Sequence, residues 1–306
     1  MDCAEKARMA LQLAAPGTWA ASLCPALFGV LYCWVRGYSL PVSKAAALTL
    51  ACVLLQSAVN TLNDYFDFID GTDSRSDHVE ESDSVLVYGG LSPAGAWKLG
   101  LFYLAAGAAL GLPCCRGPAP LAAGLAGGAA VLLYSGGPAP LSHLPLGELL
   151  SGFVMGELIP FGIAACAGGS VDFQILLWNL PLMLGISLIM MTNNGCDIEK
   201  DLRSRRRTLP ALLGRRRTRR LYRVQTVLWL ASLTVFPVAL LGVWGAVGPV
   251  LLAAAASKQF AGLLSQDLEP ENRVRQMKTI AKANLLGNGS YLAALAIYLM
   301  GRPVYG

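Results

Sequence analysis

Residues 43–73 read SKAAALTLACVLLQSAVNTLNDYFDFIDGTD, an apolar block that ends in closely spaced Asn and Asp residues. The apolar part has about 20 positions, which is the length needed to cross the hydrocarbon of a bilayer as one helix. Residues three or four apart share a helix face, so Asn60, Asp64 and Asp67 form a polar stripe. Polar groups at membrane depth are costly and usually face a bundle interior or a wet cavity. The stretch therefore predicts a transmembrane helix with a polar site at its end.

The rest of the chain repeats this apolar pattern. Of the 306 residues, 55% are hydrophobic and 14% are charged, whereas an ordinary soluble domain has roughly 25% charged residues. This composition excludes a soluble globular enzyme. We predict an all-α integral membrane bundle of about nine transmembrane helices, with a central cavity capped by cytoplasmic loops, as a single domain over residues 1–306. The predicted spans lie near residues 17–35, 43–63, 95–113, 119–135, 145–168, 173–194, 221–241, 243–264 and 282–300.

The distribution of basic residues predicts the orientation. Nine spans place the two termini on opposite sides of the bilayer. With a cytoplasmic N-terminus, all but four of the 24 Lys and Arg residues lie on the cytoplasmic side, as the positive-inside rule requires. This orientation brings the polar segments 64–94, 195–220 and 265–281 to the cytoplasmic face, where we expect the functional loops.

A second cluster of Asn and Asp follows the predicted sixth span. Residues 193–201 read NNGCDIEKD, and helical spacing aligns Asn194, Asp197 and Asp201. One such cluster alone is more often a solvated helix end, but two on the same face favour a shared site. Clustered carboxylates repel one another unless a cation lies between them, and Mg²⁺ binds one or two carboxylates and completes its shell with waters and phosphate oxygens. The two clusters therefore predict a site for Mg²⁺ and a diphosphate.

The Arg-rich run 203–223 beside the second cluster has two interpretations. Any cytoplasmic loop can carry basic residues that fix topology and contact anionic lipid. Next to carboxylates and a cation, a guanidinium also binds phosphate oxygens. We assign Arg206 to the substrate and residues 215–223 mainly to topology.

At these residues the chain resembles the UbiA superfamily of intramembrane aromatic prenyltransferases. Its members carry Asn-Asp-x-x-Asp after the second helix and Asp-x-x-x-Asp after the sixth, and residues 63–67 (NDYFD) and 197–201 (DIEKD) match both motifs. Within the superfamily the chain is most similar to the 1,4-dihydroxy-2-naphthoate polyprenyltransferases of menaquinone synthesis. That similarity rests on residues 63–73, on 134–148 (YSGGPAPLSHLPLGE) and on 193–209.

The resemblance implies Mg²⁺-dependent transfer of a polyprenyl group from its diphosphate to an aromatic acceptor, in a bacterial cytoplasmic membrane. The expected acceptor is 1,4-dihydroxy-2-naphthoate. The expected metal-binding and catalytic residues are Asp64, Asp67, Asp197 and Asp201. The expected substrate-binding residues are Asn60, Asn63, Asp73, Tyr134, Asn193, Asn194 and Arg206.

Some alternatives stay open at the level of the sequence. Where the naphthoate enzymes tend to have Gly-Lys before Thr208, this chain has Arg205-Arg206, so 4-hydroxybenzoate, haem, a chlorophyllide or a phosphosugar are alternative acceptors. A cation-coupled transporter is an alternative of a different class. The expected partners are a polyprenyl diphosphate, an aromatic acceptor and the lipid bilayer, and neither a nucleic acid nor a protein partner is implied. Glu157, an intramembrane acid, has either a functional or a hydrogen-bonded structural role.

Overall fold

The computed structural model describes residues 3–71, 85–88, 91–168 and 172–301, and these residues contain helices and no strand. The all-α prediction is confirmed. The helices are α1 (Cys3–Leu13), α2 (Ala20–Val35), α3 (Val42–Ile69), α4 (Val85–Tyr88), α5 (Pro93–Gly111), α6 (Pro118–Ser135), α7 (Gly147–Phe153), α8 (Ile159–Gly168), α9 (Gln174–Trp178), α10 (Leu180–Cys196), α11 (Ile198–Arg203), α12 (Leu209–Leu213), α13 (Arg215–Leu241), α14 (Val247–Leu264) and α15 (Arg273–Gly301).

All nine predicted spans are helical over most of their length, but their number as membrane crossings stays a prediction. In the described part of the chain, five helical stretches are long and apolar enough to cross a bilayer, or six if the bent pair Glu5–Thr18 and Ala20–Val35 is one span. The difference has a physical reason. The stretch Arg215–Ala254 contains the predicted span 221–241 and the first part of 243–264. Leu180–Cys196 has only 17 residues because the helix is broken before it, and α15, which contains the predicted ninth span, is not among the five stretches.

Helix α1 lies before the first predicted span and was not predicted. Its end is held on α3 and α5, where Leu13 is fully buried. The Tyr103 hydroxyl donates to the carbonyl oxygen of Ala10 at 3.2 Å, and the Thr61 hydroxyl donates to that of Leu13 at 3.3 Å. The axis bends by 62° between this segment and α2. Helix α1 is therefore a separate helix packed against the bundle.

Close helix contacts depend on small residues. Helices α7 and α8 are joined by a π-helical turn, Val154–Leu158, which packs against α10. A Cβ atom on Gly156 would lie 2.4 Å from the Cα atom of Met183, so only glycine fits there. Since lipid is as apolar as the side chains, such close packing drives helix association in a bilayer. The contact aligns the start of α7 with the end of α10.

One end of the bundle collects the polar segments. The end of α3 is hydrogen-bonded to the end of α6 and to the loop after α11. The end of α10 is hydrogen-bonded to the start of α7, and the segment after it to the start of α15. The two aspartate motifs therefore lie at the same end of the molecule.

Candidate active site

The first motif occupies the last two turns of α3. Asn63 and Asp67 are four residues apart, and the Asn63 amide donates to a carboxylate oxygen of Asp67 at 2.9 Å. The Ser135 hydroxyl, at the end of α6, donates to Asn63 Oδ1 at 2.7 Å. Asp67 is buried and Asp64 is half-buried on the same helix. Asn63 thus orients Asp67, and Ser135 orients Asn63.

The end of α6 approaches this motif because residue 136 is glycine. A Cβ atom on Gly136 would lie 2.6 Å from the carbonyl oxygen of Leu132 and 3.0 Å from ring atoms of Phe66 on α3. Tyr134 directly precedes Ser135 at the end of α6, and its hydroxyl donates to the Met190 Sδ atom on α10 at 3.9 Å. Tyr134 therefore lies at the same end of the bundle as the first motif, and its role in substrate binding stays a prediction.

The second motif begins with two asparagines at the end of α10. The Asn194 amide donates to a carboxylate oxygen of Glu148 at 2.8 Å, and the Asn193 amide donates to Asn194 Oδ1 at 3.3 Å. Glu148 is buried at the start of α7, and its second carboxylate oxygen has no partner. Glu148 was not among the predicted site residues, although it closes the stretch 134–148 on which the resemblance rests.

Asp201 ends the second motif in a buried position. The Thr208 hydroxyl donates to Asp201 Oδ2 at 2.8 Å. Burial raises the pKa of Asp201 to about 6, although the bond from Thr208 and the charge of Arg206 act in the opposite direction. The Thr208 hydroxyl also accepts from the Ala211 N–H at 3.4 Å, as the N-cap of α12. One hydroxyl therefore orients the aspartate and starts the next helix.

The turn after α11 joins the two motifs. The Arg206 N–H donates to the carbonyl oxygen of Asp201 at 2.8 Å, and the Arg205 N–H donates to that of Leu202 at 3.3 Å, which is the pattern of a Schellman motif. The Arg206 guanidinium then donates to Asp67 Oδ1 at 3.0 Å, and both side chains are 12% exposed. The two motifs therefore meet through Arg206, which was predicted as a site residue.

This turn has a backbone conformation that favours glycine. Arg205 has a φ of 57°, in the left-handed region that glycine adopts at no steric cost. The position after a helix of this kind usually has Gly or Asn. Arg205 keeps the turn and adds strain.

Asn193 and Asp197 have a partner that the sequence did not predict. Arg273, the first residue of α15, donates to both carboxylate oxygens of Asp197, at 3.0 and 3.2 Å, and to Asn193 Oδ1 at 2.6 Å. The one signal in the sequence is a basic residue in the polar segment 265–281, which was predicted to be cytoplasmic, and such a residue is also the common sign of topology. No local pattern marks Arg273 as different.

Other predicted residues lie elsewhere. The Asn60 amide donates to the carbonyl oxygen of Ala14 at 3.0 Å and to Thr18 Oγ1 at 2.8 Å, so it holds the connection between α1 and α2. Its role in substrate binding stays a prediction. Asp73 lies outside the described residues. Glu157 is buried in the π-helical turn with one carboxylate oxygen unpartnered.

The carboxylates do not form a ready-made metal cage. Within the ranges that the structure describes, no three His, Cys, Asp or Glu side chains come together as metal ligands. Asp67 and Asp197 are instead paired with arginines. Arg206 also has a buried Nε–H without a partner, which faces no acceptor in the described protein. The arrangement is a set of oxygen ligands and guanidinium donors around one end of the bundle.

Comparison with known proteins gives the family. The UbiA prenyltransferase family matches residues 22–285. The chain is 30% identical over 287 residues to the 1,4-dihydroxy-2-naphthoate octaprenyltransferase of Bacillus subtilis, covering 89% of this chain and 87% of that protein. It is 32% identical over 222 residues to the enzyme of the same name from Mycobacterium tuberculosis, covering 72% and 73%.

A solved structure shows the same fold. A UbiA homologue from Archaeoglobus fulgidus, bound to GPP and Mg²⁺, superposes with a TM-score of 0.67 at 17% identity, over 94% of this chain and 99% of that one. The fold and the sequence relatives agree, and together they confirm an integral membrane protein and a prenyl-transferring enzyme. The chain belongs to the UbiA prenyltransferase family.

Proposed function

We propose that this protein transfers a polyprenyl group from its diphosphate to 1,4-dihydroxy-2-naphthoate at the cytoplasmic face of a bacterial membrane, with a divalent cation. The observation that carries the proposal is the bond of 3.0 Å from Arg206 to Asp67. It places an aspartate of the first motif beside the segment that follows the second. Carboxylates from both motifs then lie around a guanidinium suited to phosphate oxygens.

The acceptor is proposed from the sequence relatives. The proteins from Bacillus subtilis and Mycobacterium tuberculosis are both named for transfer to 1,4-dihydroxy-2-naphthoate, and they cover most of this chain. The double asparagine is the most specific part of the resemblance. In this chain Asn194 is hydrogen-bonded to Glu148 and Asn193 to Arg273, so contacts with other helices determine where the two asparagines lie.

The site residues fit a hard divalent cation in their chemistry. Asp64, Asp67, Asp197 and Asp201 offer only carboxylate oxygens, the ligand type that Mg²⁺ prefers. Mg²⁺ commonly takes one or two carboxylates together with substrate phosphates, so a complete protein cage is not needed. When bound, the cation would neutralise the charge of the departing diphosphate.

The protein residues bind and orient the reactants. Arg206 has its buried Nε–H free for a phosphate oxygen while another of its nitrogens holds Asp67. Thr208 and Asn63 orient Asp201 and Asp67 by hydrogen bonds. The prenyl C–O bond breaks as the diphosphate departs with its electron pair, and a carbon of the electron-rich acceptor ring attacks the allylic carbocation that is left. The ring then regains aromaticity by losing the group on that carbon, as H⁺ or, from a carboxyl-bearing carbon, as CO₂. The apolar bundle around the site excludes the water that would otherwise react with the carbocation.

The test is an acceptor screen. Purified protein in proteoliposomes is given Mg²⁺, a labelled polyprenyl diphosphate and one acceptor at a time: 1,4-dihydroxy-2-naphthoate, 4-hydroxybenzoate, haem, a chlorophyllide or a phosphosugar. Products are identified by mass, with chelated Mg²⁺ as the control. We expect a prenylated naphthoate product that requires Mg²⁺. Turnover with a different acceptor alone would overturn the acceptor, and no product with any of them would overturn the proposed function.

A further inference from the structure

Arg273 contacts two polar residues of the second motif, Asp197 and Asn193. Its Nε–H donates to both carboxylate oxygens of Asp197 as one bifurcated bond, at 3.0 and 3.2 Å. The side chains of Arg273 and Asp197 are 16% and 14% exposed. A second bond, of 2.6 Å, reaches Asn193. One guanidinium therefore binds two polar residues of the motif at once.

The segment before Arg273 is built to hold it there. Gln276, one turn further along α15, donates to Asp267 at 2.6 Å and accepts from the Leu268 N–H at 2.9 Å. Arg215 donates to the carbonyl oxygens of Leu268 and of Gly195, the latter at 2.9 Å. Arg215 was assigned to topology from the sequence, but it also ties this segment to the second motif. The position of Arg273 thus depends on contacts from three parts of the chain.

A guanidinium and a divalent cation compete for the same carboxylate. Both need the oxygens of Asp197, and both are positive. The first motif shows a parallel arrangement, because Arg206 donates to Asp67. In each motif, therefore, an aspartate is paired with an arginine from a different polar segment. An arginine released from its aspartate keeps a fork of donors that matches a phosphate group.

We propose that Arg273 holds Asp197 in the absence of substrate and moves to the diphosphate when a cation takes the carboxylate. This inference rests on the proposed function. The exchange breaks the bifurcated hydrogen bond from Nε to Asp197 and the bond to Asn193, and it forms bonds to phosphate oxygens with no change in covalent bonding. In this proposal Arg273 binds the diphosphate, and before the substrate arrives it competes with the cation for Asp197.

The test compares Arg273→Gln with Arg275→Gln, a change at an exposed arginine on the same helix. Binding of Mn²⁺ alone to the purified protein is followed by electron paramagnetic resonance. A charge-assisted hydrogen bond contributes enough that its loss changes an equilibrium constant about tenfold. We expect Arg273→Gln to bind Mn²⁺ about tenfold more tightly than wild type and to raise the KM for the prenyl diphosphate about tenfold. Arg275→Gln should change neither quantity.

These two shifts have opposite directions, which a general loss of structure does not produce. Weaker or unchanged Mn²⁺ binding in Arg273→Gln overturns the inference, and so does an unchanged KM. If this variant does not fold, Arg273→Lys is measured instead, with the same expected directions because a lysine cannot bind Asp197 and Asn193 together with the fixed geometry of a guanidinium. The Mn²⁺ comparison needs no turnover. A wild-type protein without activity therefore contradicts the proposed function, whereas the Mn²⁺ result bears on Arg273 alone.

Discussion

Replacing Arg205 with glycine is expected to stabilise the protein. Arg205 has a φ of 57° in the turn that carries Arg206 to the site. A left-handed conformation costs a residue with a Cβ atom about 1–2 kcal/mol. Glycine loses about 0.5–1 kcal/mol more backbone entropy on folding. The difference leaves an expected gain of about 0.5–1 kcal/mol in the free energy of unfolding.

The assay is thermal unfolding of the detergent-purified protein, followed by tryptophan fluorescence. A gain of this size raises the Tm by about 2 °C. Arg205→Ala is the matched control, because it removes the same exposed side chain and keeps the strained conformation. Both variants should keep the KM for the prenyl diphosphate, since Arg206 is the residue that donates to Asp67. If the glycine variant is no more stable than the alanine variant, the reasoning about the turn is wrong.

Three further changes test other contacts. Thr208→Val removes the donor to Asp201 and should weaken activation by Mg²⁺ about 10–100-fold, whereas Thr208→Ser keeps the hydroxyl and should not. Equal Mg²⁺ dependence in the two variants would contradict the role given to the Thr208 hydroxyl. Gly136→Ala should cost about 1–3 kcal/mol through overpacking, seen as a lower Tm, while Gly127→Ala, with nothing within 4 Å, should not lower it. Asn194→Asp replaces the amide that donates to the buried Glu148 with a second carboxylate, so diphosphate release should fall at least about tenfold. Normal release would show that this hydrogen bond is not needed for activity.

The sequence predicted the helices and the aspartate motifs because both signals are local. An apolar block of about 20 residues reads as a span without knowledge of its neighbours. Helical spacing also aligns Asn63 with Asp67, which the structure confirms as a hydrogen bond. The two motifs were expected on one face from charge alone, and the structure brings them to the same end of the bundle.

Contacts between distant segments could not be predicted in the same way. Arg273 and Asp197 are 76 residues apart, and an arginine that binds an aspartate looks the same in sequence as one that fixes topology. Asn60 shows the reverse case. It shares the helix face of the motif, yet it holds the connection between α1 and α2. A helix face predicts which side chains point together, but not which other segment meets them.

The central claim is that the two aspartate motifs form one cation-dependent site for the diphosphate. The most direct measurement is diphosphate release by wild type, Asp64→Ala and Asp197→Ala in proteoliposomes containing Mg²⁺, labelled polyprenyl diphosphate and dihydroxynaphthoate. Changes in residues that only orient metal ligands cost about 10–100-fold, so loss of a ligand should reduce release by about 100-fold or more in each variant. Undiminished release in both variants would contradict the account.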